Sequence, residues 1–181
     1  MNFSSTTTKH DTYFWLMSLA RLIFAVILGL YFWQAILHPK AWHLIDGANL
    51  AIHETGHLLA KFASPVIQMS AGTIAQLLAP TILILYFLII NKKYAAFIMM
   101  FWLGQSLANI SVYMADAINM QLPLIGGPNS IHDWHWLLKH FDLLGKTDII
   151  SNNTWTIAVA IACLASLGSL FTVGKDDRDY F

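Results

Sequence analysis

Five stretches of the chain are apolar for long enough to be read as helices in lipid, and the polar residues inside them recur at helical spacing. Residues 13–37 are apolar over roughly 25 positions, enough for a helix to cross a hydrocarbon core of ~30 Å. This run predicts a first membrane span. It is too long for a signal-peptide core and has no clear small-residue cleavage site, so it is expected to be retained. Residues 73–90 predict a further span, carrying Gln76 and a kinking Pro80. Residues 95–117 predict another, with Gln105, Asn109, Tyr113 and Asp116 along one face. Residues 155–173 predict a last span with almost no polar chemistry. Between these, residues 65–72 read as a loop and NKKY as a short polar turn. The long connection over residues 118–153 begins with the turn-rich GGPNS. It then places Ile131, Trp134, Leu138 and Phe141 on one face of a segment 131–144, which predicts an amphipathic helix at the membrane surface.

The remaining apolar stretch, residues 47–63, is different in kind. It is built from small and apolar residues but carries His53, Glu54, His57 and Lys61. Such a helix is too polar to face lipid and small enough to pack closely, so it is expected inside a bundle. The whole predicts an all-α, polytopic helical membrane protein of four to five membrane helices plus an interfacial helix. One integral membrane domain spans residues 1–181, without repeats. Counting basic residues with the motif helix taken as a crossing puts Lys40, Lys92, Lys93, Lys175 and Arg178 on one side and Lys9, Lys61, Lys139 and Lys146 on the other. That slight excess favours a cytoplasmic C-terminus. Arg21, within the first span, reads as a snorkelling or pore-facing cation.

Composition agrees with the pattern and narrows the chemistry. Of 181 residues 57% are hydrophobic and 11% charged, which excludes an ordinary soluble domain. Net charge is zero and the basic residues are scattered, so no nucleic-acid surface is implied. The single cysteine, Cys163, can form neither an intrachain disulfide nor a thiolate-rich metal site, so any metal must be held by nitrogen and oxygen.

The chain has eight histidines and one glutamate, and IHETGH places that glutamate, Glu54, between His53 and His57. Random placement would give this arrangement in about two cases in a thousand. On a helix His53 and His57 share a face and can present two imidazoles to one metal ion, with Glu54 beside them. In a zinc hydrolase the glutamate takes a proton from the metal-activated water and later passes it to the leaving amine. The competing reading is structural: buried histidines bonded to neighbouring helices, with Glu54 paired to Lys61 or Arg21. Burying an unpaired carboxylate in a membrane costs at least ~2.5 kcal/mol, which favours the metal.

Catalytic zinc normally takes three protein ligands. Asp116, an isolated carboxylate in a long apolar stretch, is one candidate third ligand, unless it pairs with Arg21 or ends the helix at the interface. His132 is the other, on a segment able to fold back over the site. Asp133 follows Ser130 by three residues, so it reads as a helix cap or as a carboxylate orienting His132. Asn109 is placed to donate to a substrate carbonyl or oxyanion, or equally to a neighbouring helix.

IHETGH on a membrane helix, followed by a later helix carrying NISVYMADA, resembles the site-2 protease class of intramembrane zinc metalloproteases, over about residues 47–117. The resemblance implies Zn2+ held by His53, His57 and Asp116, Glu54 as general base, Asn109 assisting at the carbonyl, and a membrane-protein or peptide substrate. Where that class has a glycine after the aspartate, this chain has Ala117. LPLIGG followed by HDW is similar to a pattern in bacterial membrane proteins, which implies the bacterial inner membrane. Two other classes fit parts of the sequence. A membrane di-iron hydroxylase or desaturase would need many more histidine ligands than His53, His57, His132 and His135. A non-enzymatic transport or scaffold subunit would use the buried polar residues as an ion path.

Overall fold

The computed structural model describes residues 4–125 and 130–175, with side chains from Asp11 onward. The GGPN turn, the tail after Lys175 with Arg178, and the side chains of Lys9 and His10 lie outside the described residues. The described residues form six α-helices: α1 (Ser4–Leu37), α2 (Leu44–Leu59), α3 (Pro65–Ile89), α4 (Lys93–Ala115), α5 (Asp133–His140) and α6 (Thr147–Thr172). A single 3-10 turn, Leu144–Lys146, leads into α6.

Four of these helices, α1, α3, α4 and α6, are long and apolar enough to cross a membrane. Their outer faces carry exposed Ile23, Ile27 and Leu30 on α1, Ile74, Ile82 and Leu85 on α3, and Leu164, Leu167 and Phe171 on α6. Asn49, Gln76, Gln105 and Ser106 are buried instead. Apolar outside and polar inside is the distribution that lipid demands, since every buried polar group must find its partner within the protein. The chain is a helical integral membrane protein.

Helix α4 is the centre of the bundle, buried on several sides through Tyr94, Phe101, Gln105, Ala108 and Met114. It packs against α6 through small residues, Ala158, Ala162 and Ala165, which let the backbones approach. At Gly104 even a methyl group would come within 3.0 Å of the Ala158 carbonyl oxygen. On α1, Phe32 stacks on Phe101 with ring centroids 6.1 Å apart.

Contacts along these helices give their directions. Tyr94 donates to the Arg21 carbonyl at 2.7 Å, and Gly29 lies against Phe101. Ile36 reaches Gly104, so α1 and α4 run the same way. The Trp33 indole donates to Ser166 at 3.0 Å and the Trp155 indole to the Ile36 carbonyl at 2.9 Å, so α6 runs against them. Helix α3 also opposes α4, because the turn joining them is short and carries Asn91 at φ 57. The C-terminal ends of α1 and α4 and the N-terminal ends of α3 and α6 therefore lie together. Helix α2 joins two points on that same side and does not cross.

This corrects several expectations. The motif helix is not a fifth span, so Lys40 falls on the same side as Lys61, Lys139 and Lys146, opposite Lys92, Lys93 and Lys175. Nor is α2 enclosed: Leu44, Leu58 and Leu59 on it are 88%, 70% and 81% exposed, and only Asp46, Asn49, His53 and Gly56 turn fully inward. Residues 65–72 are not a loop but the first turns of α3, which starts at Ser64 with Pro65 at its first position, where proline costs no hydrogen bond. The interfacial helix is shorter than 131–144. It ends at Phe141 before Asp142 turns at φ 57, with Leu137 and Leu138 buried and Ile131 and Phe141 exposed at its flanks.

Candidate metal centre

Helix α2 turns His53 and His57 toward α3, one helical turn apart. They can stand there because of two glycines. A Cβ on Gly56 would collide with the Ala71 carbonyl, and a Cβ on Gly72 would lie 2.5 Å from both His53 Cδ2 and His57 Nε2. The missing side chain of Gly72 is thus the space the two rings occupy.

Into that space comes a carboxylate from α5. Asp133 Oδ2 is 3.0 Å from His53 Nε2 and 3.0 Å from His57 Nε2, and the two nitrogens are 3.1 Å apart. The His57 ring also faces the Gln68 carbonyl through Nδ1 at 2.8 Å. A carbonyl only accepts, so Nδ1 carries the proton and the neutral ring turns its Nε2 lone pair toward the carboxylate. The His57 lone pair, the Asp133 oxygen and His53 Nε2 thus face one another, an arrangement that a proton or a metal cation among them would satisfy. The hydrogen bond to Asp133 raises the His57 pKa above its ordinary value, against the opposing effect of burial. Burial alone would raise the Asp133 pKa, but hydrogen bonds from His53 and His57 outweigh it and hold the carboxyl below the usual range.

The same triangle fits a metal. His53, His57 and Asp133 each offer one ligand atom, all within 4.8 Å of one another. Donors with these separations, placed ~2.1 Å from one ion, would subtend about 91–95° at it. They would gather on one side of the ion and leave the rest of its shell open. The carbonyl behind His57 is the outer partner that metal-ligating histidines commonly have.

The site opens on a cavity of about 500 Å3, bordered by α2, α3, α4, the Pro39–Trp42 connection and residues 122–125 and 130–133. Its volume is within the range of about 300–1,000 Å3 typical of ligand pockets. Glu54 is half-buried on its wall and has neither a hydrogen bond nor an ion pair among the described residues. Arg21, a conceivable partner, is at the far side of the bundle, 5.7 Å above the Tyr94 ring.

Neither expected third ligand joins the histidine pair. Asp116 caps the end of α4 and accepts from the backbone N–H groups of Gln121 and Leu122, both at 2.9 Å. His132 is the N-cap of α5: its Nδ1 accepts from the His135 amide at 3.2 Å, and its Nε2 lies 3.4 Å from Asp116. Burial lowers the His132 pKa, against the pull of Asp116. Since His132 fills the capping position, Asp133 is free to turn its side chain inward. The roles expected of these neighbours are exchanged, and the one signal available was the carboxylate itself, next to the candidate imidazole.

Asn109 lines the cavity but belongs to a second polar group. Asp46 Oδ1 accepts from Gln105 at 2.7 Å and Asn109 at 3.2 Å, and Oδ2 accepts from the His43 amide at 2.7 Å. Gln76 donates to Asn109 at 3.0 Å, Asn49 to Gln105 at 2.7 Å, and the Trp102 indole to Asn49 at 2.8 Å. This network ties α2, α3 and α4 together beside the histidine pair. It is the helix-to-helix role for Asn109, with one amide hydrogen uncommitted.

No protein-family model matches the chain, and neither a curated protein nor a solved structure matches it.

Proposed function

We propose that the protein is a zinc-dependent membrane-embedded peptidase, hydrolysing peptide bonds of a membrane-protein or peptide substrate at one end of its helical bundle. The observation that carries this reading is the convergence of His53, His57 and Asp133, with Glu54, unpaired among the described residues, on the wall of the same cavity. Zinc held by those three residues would polarise a water molecule and the scissile carbonyl. His57 keeps its Nδ1 proton on the Gln68 carbonyl, which fixes the ring with Nε2 inward. Glu54 accepts the proton released by the attacking water and returns it to the departing nitrogen. The reading includes a place in the bacterial inner membrane, supported by the LPLIGG and HDW pattern.

Two histidines and one carboxylate also suit ferrous iron in oxygen chemistry. Glu54 favours hydrolysis, because a free carboxylate beside the ligands has a task there. A di-iron centre would need a second ligand set, and among the described residues only one such group occurs.

The test is elemental mass spectrometry of the detergent-purified protein, together with cleavage of membrane-segment peptides in vesicles. One zinc per chain, lost in His53→Ala and Asp133→Ala and kept in Asp116→Ala, is the expected result. No metal after zinc is supplied would refute the reading, and iron in place of zinc would move it to the oxidoreductase class.

A further inference from the structure

We propose that Tyr113 is the positioning residue of this centre, holding Asp133 with Oδ2 turned to the two histidines; the proposal rests on the metal reading above. Asp133 begins a helix of only eight residues that follows a long connection. So short an element cannot by itself hold a ligand within the ~0.5 Å that a functional site requires. Tyr113 stands on α4, the most deeply packed helix of the bundle, in its last turn. Its hydroxyl accepts the Asp133 backbone N–H at 3.2 Å and faces Asp133 Oδ2 at 3.4 Å as a donor. One oxygen thus grips both the backbone and the side chain of the same residue. The Tyr113 ring is fixed in turn, with its centroid 5.8 Å from the edge-on ring of His53 and 4.3 Å from the ring of His132.

Docking of α5 and aiming of its carboxylate are separate. His135 Nδ1 bonds the Ala117 carbonyl at 2.7 Å, and Asp116 secures the connection after α4. Those contacts keep α5 in place whether or not Tyr113 has a hydroxyl. What the hydroxyl adds is the direction of the Asp133 side chain. Expected from sequence at Asn109, the polar group of α4 that serves the centre is one turn further along, because Asn109 is engaged by Asp46 and Gln76.

The experiment compares wild type, Tyr113→Phe and Asn109→Ala as full-length protein in lipid nanodiscs. Zinc affinity is measured by competition with a chromophoric chelator, ligand geometry by the visible spectrum of the Co2+ form, and the Asp133 amide by hydrogen exchange without metal. The phenylalanine ring preserves the packing on His53 and His132, so the variant keeps its fold. Tyr113→Phe is expected to bind zinc ~10–100-fold more weakly, as loss of an outer hydrogen bond to a ligand does. Its Co2+ spectrum shifts and its Asp133 amide exchanges faster, with the His135 amide unaffected. Asn109→Ala retains wild-type affinity and spectrum. Wild-type affinity and spectrum in Tyr113→Phe would overturn the positioning role alone. A wild type that binds neither Zn2+ nor Co2+ would remove the metal reading and this proposal with it.

Discussion

Gly72→Ala separates the proposed metal centre from the fold that carries it. An added Cβ would lie 2.5 Å from His53 Cδ2 and from His57 Nε2, whereas real Cβ contacts are not found under 3.0 Å. Reaching ordinary contact requires about 1 Å of movement by both rings or by the whole of α2. The rings have little freedom, since His57 is bonded to Gln68 on the same helix as the new methyl group. Overpacking of this kind costs about 1–3 kcal/mol, and replacing a mid-helix glycine by alanine returns about 1 kcal/mol. Net stability therefore falls by no more than about 2 kcal/mol, and the helices form. The ligand atoms, however, tolerate only ~0.2 Å of displacement around an ion, so zinc affinity is expected to fall at least about 100-fold. The assay is chelator competition on the purified variant, with helix content checked by circular dichroism. Gly47→Ala is the control on α2, where the new methyl group meets only Trp42, at 4.0 Å, and binding should be unchanged. Wild-type affinity in Gly72→Ala would show that the two histidines do not act together where they stand.

Glu54→Gln keeps the shape of the cavity wall and removes the base, so metal content is expected to hold while peptide hydrolysis falls by about 100-fold or more; full activity in a vesicle cleavage assay would exclude Glu54 from the chemistry. Asp133→Ala should lose the metal, whereas Asp116→Ala should keep it and loosen the connection after α4, seen as faster amide exchange at Gln121 and Leu122. The opposite outcome in elemental analysis would restore Asp116 as the ligand. Asp46→Ala leaves the donors of His43, Gln105 and Asn109 without their acceptor, which should destabilise the fold by about 2–4 kcal/mol. A thermal midpoint equal to wild type would mean that water or another group satisfies them.

The spans were legible because a bilayer imposes length and polarity on any helix that crosses it. Helix ends were less so. Residues 65–72 contain Pro65 and Gly72, which read as breakers, yet Pro65 occupies a first helical position and Gly72 is there for the histidines. The apolar run through Ala117 likewise hid the end of α4, and of the readings open for Asp116, ligand, partner of Arg21 or helix end at the interface, the fold gives the helix end. Whether residues 47–63 cross the membrane is not a local property at all. It depends on α1 and α4 running in the same direction, which only the packed bundle reveals.

The candidate site was half legible for a related reason. His53, Glu54 and His57 are joined by helical spacing, but the carboxylate that faces the two histidines comes from a contact that spans 80 residues of sequence from His53. What marks Asp133 in the fold is the contrast between two polar clusters of α2. In the Asp46 network donors are matched to acceptors: amides and an indole give, carboxylate and carbonyl oxygens take, and every acceptor faces a donor. Around Asp133 the matching fails. Two imidazole nitrogens and a carboxylate oxygen meet, one of those nitrogens already committed to its lone-pair form by Gln68, and the adjacent Glu54 makes no hydrogen bond or ion pair among the described residues. Both clusters are buried polar groups in a membrane protein, but one pairs its donors with acceptors while the other turns two imidazole nitrogens and a carboxylate oxygen toward one point, the arrangement that a bound cation would satisfy.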